Sequence, residues 1–282
     1  MKTRIIVDST FNLEEEFINQ NNIVVIPLNV IIDGQSYQDG VEISFDQVME
    51  AADSGKSVTT SQPSPLLFQE YFERVRDEGA TDIVCLTISS TLSGTFQAAN
   101  IAKNEVTGVN IHLIDTLTTA IGAEILTNIL VNDLNEDVQL NEVIDKINTI
   151  KHNGGILLNM VNLNALKKSG RIHRIKATIG NLLRVKPIIE FFHGKVSIKS
   201  KFRTEKQVAE WIIEKMKALL EGITAKIHIY IAYIDSIDRI KLVLQMLKEA
   251  FPNIPIKVRD GITPVIATNL GYGGIGIAWC HE

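Results

Sequence analysis

Cysteine is nearly absent from this 282-residue chain, with Cys85 and Cys280 the only two. A disulfide framework or a cysteine-rich zinc site needs more, and a reducing compartment is the simplest expectation. Histidine is scarce and scattered. His112, His152, His173, His193, His228 and His281 show no HxxxH or HExxH spacing, so no histidine metal site is expected, and no cofactor is expected either. Long apolar runs are missing too. The first residues reach Asp8 after only three consecutive apolar side chains, and no later run approaches the ~18 residues of a membrane span. The expectation is a soluble, unexported, cytoplasmic protein. With 45% hydrophobic and 22% charged residues, a disordered or collagenous chain is excluded and a sizeable core is allowed.

Net charge is small at -5, but it is unevenly spread. Residues 167–206 hold 12 of the 28 Lys and Arg and only two acids, Glu190 and Glu205, which makes this segment +10 and the remainder -15. Such a stretch suits an anionic partner: a nucleic acid, a phosphorylated ligand, a lipid surface or an acidic protein. No paired aromatic platform or known reading motif accompanies it, so nucleic acid is the alternative reading, not the expected partner.

Apolar runs of strand length alternate with helix-period segments, which predicts an α/β fold. Strands are expected at Arg4–Val7, Ile23–Pro27, Ile83–Thr87 and Ile111–Ile114, with helices at Leu13–Gln20, Phe45–Ser54, Pro65–Glu78, Thr95–Glu105 and Thr118–Asn132. This half reads as a parallel-sheet, Rossmann-like sandwich, interrupted by a hairpin at Asp33-Gly34. The second half predicts a smaller, mixed-sheet α/β domain. Its elements are a helix near Gln139–Lys151, strands near Ile156–Leu158, Ile188–Phe192, Val196–Lys199, Lys226–Ala232, Ile256–Val258 and Gly274–Trp279, and helices at Thr204–Glu221 and Ser236–Phe251. Asn153-Gly154-Gly155 breaks the helical pattern, so the domains are expected to be 1–154 and 155–282.

Two phosphate-motif matches carry no weight. Gly271-Tyr272-Gly273-Gly274-Ile275-Gly276 fits G-x-G-x-x-G but has no helix after it, and Gly55-Lys56-Ser57 lacks the first glycine of a P-loop. Hydroxyl density is the stronger signal. Thr59-Thr60-Ser61-Gln62-Pro63-Ser64-Pro65 is one cluster, and Thr87 to Thr95 holds six Ser or Thr in nine residues between a strand and a helix. Asp8-Ser9-Thr10 and Asp115-Thr116 follow two more strands. Loops after parallel strands gather at one sheet edge, where ligands bind. Ser9, Ser89 and Thr116 are expected to cap helices. Thr60 and Ser93 sit where hydroxyls outnumber caps, and with helix amides they suit a carboxylate or phosphate. No G-x-S-x-G elbow surrounds Ser93, which argues against hydrolysis.

In order along the chain, Val7-Asp8-Ser9-Thr10, Thr60-Ser61-Gln62-Pro63-Ser64, Ser89-Ser90-Thr91-Leu92-Ser93-Gly94-Thr95, Asp115-Thr116, Leu166-Lys167-Lys168-Ser169-Gly170-Arg171-Ile172, Lys186-Pro187-Ile188, Arg203-Thr204 and the last glycine run resemble the DegV family. The resemblance implies two α/β domains with a lipid tunnel between or beneath them. It implies a carrier that holds one long-chain fatty acid and presents its carboxylate to a separate ATP-dependent fatty acid kinase, with no catalysis of its own. A membrane-bound acyltransferase that uses the acyl phosphate is a further implied partner. The implied ligand contacts are Thr60, Ser61, Ser93, Gly94, Thr95 and Asn269; the implied partner-docking residues are Arg171, Lys201 and Arg203. Where the family often has histidine and proline, this chain has Asn269 and Tyr272. Asparagine offers an amide but cannot become cationic.

Overall fold

The computed structural model describes residues 2–161, 163–170, 185–234 and 236–282. The chain opens with strand β1 (Thr3–Asp8), helix α1 (Glu15–Gln20) and strands β2 (Val24–Ile26), β3 (Asn29–Ile32) and β4 (Gln35–Gln38). Helix α2 (Phe45–Asp53), strand β5 (Val58–Ser61), helix α3 (Pro65–Asp77), strand β6 (Asp82–Thr87), helix α4 (Thr95–Glu105) and strand β7 (Asn110–Asp115) follow. Helices α5 (Ala120–Asn135) and α6 (Leu140–Ile150) lead to strand β8 (Gly154–Asn159) and the short helix α7 (Asn164–Lys168). Strands β9 (Lys186–Phe192) and β10 (Lys195–Phe202), helix α8 (Glu205–Leu220), strand β11 (Ile227–Tyr233) and helix α9 (Lys241–Ala250) come next. Strand β12 (Ile256–Asp260), helix α10 (Pro264–Leu270) and strand β13 (Ile275–His281) complete the order.

Among the described residues, three sheets result. A four-stranded sheet runs β2-β1-β6-β7 with every pair parallel. A mixed six-stranded sheet runs β10-β9-β8-β13-β11-β12, and within it only β11 and β12 are parallel. The predicted hairpin belongs to a third, antiparallel sheet, β4-β3-β5. Three of these elements escape the sequence patterns, among them the five-residue helix α7. Strand β5 reads in the sequence only as a hydroxyl cluster, because Val58 is its sole aliphatic residue. Helix α10 is seven residues long and too short to show a period. The expected helix at Ser236–Phe251 begins instead with a 3-10 turn at Ile237–Arg239 before α9.

Local chemistry explains the well-read elements. Ser44 and Gln47 form a capping box on α2, Thr204 and Gln207 form one on α8, and Ser64 caps α3 ahead of Pro65. Strand β6 is buried along its whole length, as a central parallel strand should be. Helix α5 is apolar nearly all round. One side packs on Ile5, Val7, Val84 and Leu86 of the parallel sheet, and the other on Ile156, Phe191, Tyr230 and Ala278 of the mixed sheet. A single core thus runs from one sheet through α5 to the other. The outer faces are covered by α3 and α4 on the parallel sheet and by α8 and α9 on the mixed sheet.

Polar groups tie the layers together. Buried Glu124 of α5 accepts from Arg259 of β12, with the Nε bond at 2.7 Å, while Lys257 lies 3.3 Å away and Glu14 takes the other arm of the guanidinium. Buried Asp8 accepts from the Thr10 backbone at 3.0 Å and from the Ile88 backbone at 2.6 Å. Ser9 donates to buried Asp39 at 2.6 Å and accepts from the Leu28 backbone at 3.0 Å. Asp39 in turn accepts from the Val265 backbone at 2.9 Å. Asp39 therefore ties α10, which follows the mixed sheet in sequence, to the N-terminal half.

Burial pushes the carboxyls of Asp8 and Asp39 up from 3.8 to about 6, against the lowering effect of their hydrogen bonds. Between these values the unfolded chain gives up its protons first. Stability from these groups is therefore full below about pH 4 and is lost as pH rises to about 6, by on the order of 3 kcal/mol per group. Urea midpoints measured from pH 4 to 7 should fall over that window, and Asp39→Asn should flatten part of the fall. Arg259→Leu leaves Glu124 buried without its main partner and should cost about 3 kcal/mol in the same assay.

Candidate functional site

The site begins with small residues on the mixed sheet. In register, Leu158, Gly276 and Ala232 lie side by side across β8, β13 and β11. Two of the three have almost no side chain, so a channel is left between this face and the elements above it. Its walls are Ile156, Ile189 and Phe191 from the sheet, Ile121 from the first turn of α5, and Val265, Ile266 and Leu270 from α10. Leu28, Ile88 and Leu92 close it from the N-terminal half. The cavity volume is about 170 Å³. Apolar surface dominates, as expected of a small-molecule site.

One group of wall residues is polar. Thr60 and Ser61 come from β5, where they pair with Val30 and Asn29, and Ser93 comes from the loop entering α4. Asn269 comes from α10 and Thr119 from the turn entering α5. The structure thus brings Thr60, Ser61, Ser93 and Asn269 to the wall of one cavity. Gly94 and Thr95 stand behind Ser93 and do not line it. The Ser93 and Thr95 hydroxyls are 2.9 Å apart, and a Cβ at Gly94 would overlap the Gln62 carboxamide that packs there. Gly94 is also the N-cap of α4, so the positive end of that helix dipole lies beside Ser93. Thr119 was not among the expected site residues. The hydroxyl-rich run after β7 carried the only signal for it.

The expected caps do not form. Ser9 joins Asp39 to the Leu28 backbone, Ser89 pairs with Thr91 at 2.9 Å, and Thr116 donates to the Thr87 carbonyl at 2.8 Å. These hydroxyls are spent on holding strand-end loops, which places more demand on Asp39 and less on helix ends. Lys201, at the end of β10, and Arg203, just beyond it, are exposed and outside the cavity wall. Arg171 lies outside the described residues. The final glycine run links α10 to β13, so it is a turn between a helix and a strand and cradles no helix N-terminus.

Fold and cavity define an α/β protein with two principal sheets around an apolar tunnel, with hydroxyls and one carboxamide on its wall. The chain belongs to the DegV family, whose model matches residues 2–282. A DegV domain-containing protein of Listeria monocytogenes is 29% identical over 99% of this chain and 98% of its own length, and one from Staphylococcus aureus is 31% identical over 98% of each. Among solved structures, a DegV family protein of Thermus thermophilus described for fatty acid binding superposes with a TM-score of 0.90 at 28% identity, covering 100% of both chains. A fatty acid binding DegV family protein of Streptococcus agalactiae gives 0.89 at 26% identity, over 100% of this chain and 99% of its own.

A side chain at Gly276 tests the tunnel directly. A Cβ there would meet only the Ile121 Cδ1 atom, at an ordinary 3.7 Å, and the backbone is not in the left-handed region. Gly276→Leu should therefore fold with a urea midpoint near that of the parent. Uptake of a polarity-sensitive apolar dye should be lost.

Proposed function

We propose that this protein binds one long-chain fatty acid, with the acyl chain along the tunnel and the carboxyl group at Thr60, Ser61, Ser93 and Asn269. The observation that carries this reading is a cavity whose wall is aliphatic and aromatic except for a few hydroxyls and one carboxamide. Burial of a sixteen-carbon chain at about 0.8 kcal/mol per methylene supplies roughly 10 kcal/mol before ordering costs. The chain length therefore provides the affinity. The polar groups fix which end lies where. The fatty-acid-binding descriptions of the Thermus and Streptococcus relatives support the same reading.

The protein acts in this proposal as a carrier, not a catalyst. It presents the bound acid to a separate ATP-dependent kinase, which forms an acyl phosphate for a membrane-bound acyltransferase. Neutral hydroxyl donors hold the carboxyl group without the tight, charge-assisted grip of a bidentate arginine, which suits a ligand that must later be handed on. Lys201 and Arg203, exposed at the end of β10, are the proposed docking cations, with Arg171. The basic segment is a weaker lure for nucleic acid than its composition suggests, because Lys186 pairs with Glu205 and Lys199 with Glu190 inside it.

Native mass spectrometry of the protein purified from bacterial cells should show one fatty acid per chain, identifiable after denaturing extraction. Thr60→Val with Ser93→Ala should lower lipid retention or kinase-dependent phosphorylation by at least about tenfold, the loss of one or two hydrogen bonds. No change in either would remove the head-group assignment. Arg203→Glu should reduce phosphorylation with lipid content intact.

A further inference from the structure

Among the described residues, none that lines the tunnel carries a charge. Asn269 is the polar wall residue whose bonding is most informative. Its Nδ2 donates to the Val265 carbonyl at 2.8 Å, and this bond fixes which way round the carboxamide sits. The flipped arrangement would set Oδ1 against a carbonyl oxygen, acceptor to acceptor. Oδ1 is therefore an acceptor, and it is buried without a partner. A carboxylate cannot satisfy it, because both carboxylate oxygens are also acceptors. A protonated carboxyl can, through its O–H. Thr119, also on the wall, has a hydroxyl that is likewise buried and unpartnered, a further donor for a ligand oxygen.

Charges behind the wall point the same way. Asp8 accepts from the Ile88 backbone and Asp39 from the Val265 backbone, and both Ile88 and Val265 line the tunnel. Two carboxylates thus stand one residue away from the ligand space. When ionised they oppose a third negative charge, and so does removal of the ligand's own charge from water. The N-termini of α4 and α5 act in the opposite sense, each equivalent to about half a positive charge. On α4, the first amide is shared with Ser93, whose Oγ accepts from Thr95 N. From the other elements, Thr60 and Ser61 are uncharged, and Arg259, beside Ala232 in register, is matched by Glu124 and Glu14.

We infer that the tunnel holds its fatty acid as the neutral acid, the carboxyl O–H donating to Asn269 Oδ1. This deepens the fatty-acid reading and rests on it. Palmitic acid labelled with carbon-13 at the carboxyl, loaded into the full chain, reports the protonation state by its NMR shift. The bound signal should keep the neutral-acid position to at least about pH 8, where a free carboxyl has long ionised. Asn269→His replaces the acceptor with a group that can donate, and should lower the midpoint by about one pH unit or more. As a second measure on the parent protein, palmitate affinity should fall about tenfold per pH unit above the free acid's range. Affinity for 1-hexadecanol, which carries an uncharged O–H, should not change with pH. A loaded protein with an ionised carboxyl at pH 7, or a palmitate affinity flat in pH, overturns the inference and leaves fatty-acid binding standing. A chain that takes up no palmitate overturns the binding reading beneath it.

Discussion

Helix α5 is the constraint on which the rest of the structure depends. It is buried on both sides, by the parallel sheet on one and the mixed sheet on the other, so neither sheet has a complete core without it. A helix in that position must be apolar all round, and Glu124 is the one acid in its interior stretch. Arg259 offsets that charge from the edge of the mixed sheet. The same helix begins at the tunnel, where Ile121 faces Gly276. Packing of the two halves and the width of the cavity are therefore set by one element, and a change that shifts α5 moves both.

A second device fixes the roof. Helix α10 belongs in sequence between β12 and β13 of the mixed sheet, yet it packs on α2 and on the small antiparallel sheet. Asp39 holds its first turn, and Ser9 carries the connection to the end of β1. Burying carboxyl groups to do this costs stability at neutral pH. What is gained is a wall in which backbone amides of Ile88 and Val265 are satisfied from behind, so that their side chains can present apolar surface to the tunnel.

Much of this was readable from the residues alone. Strands β1, β6 and β7 and helices α2, α3, α4 and α8 carry their own signals, in apolar runs, capping residues and three- and four-residue spacing. The hydroxyl blocks drew attention to Thr60 and Ser93 because their density exceeds what caps require. Residues 58–61, 164–168 and 264–270 carry no such signal, since a four-residue strand of polar character and helices of five and seven residues depend on tertiary partners for their existence. Thr119 was missed for a related reason. Nothing in its neighbours says that the turn before α5 opens onto a channel formed by strands that come later in the chain. The tunnel itself depends on Gly276 and Ala232 standing next to each other, and adjacency across strands is a property of register, which composition does not carry.

Strand order has a consequence for biosynthesis. The parallel sheet needs only residues up to Asp115, and its strands can pair as they leave the ribosome. The mixed sheet is different, because β13 lies at its centre between β8 and β11, although it is made after every other strand of that sheet. Until Ile275–His281 emerges, β8 and β11 have no strand between them, and the apolar face that will floor the tunnel stays open to water. Nascent chains of this protein should therefore spend the later part of translation with an unpaired, aggregation-prone sheet. Closure of the sheet and completion of the tunnel floor become a single late event.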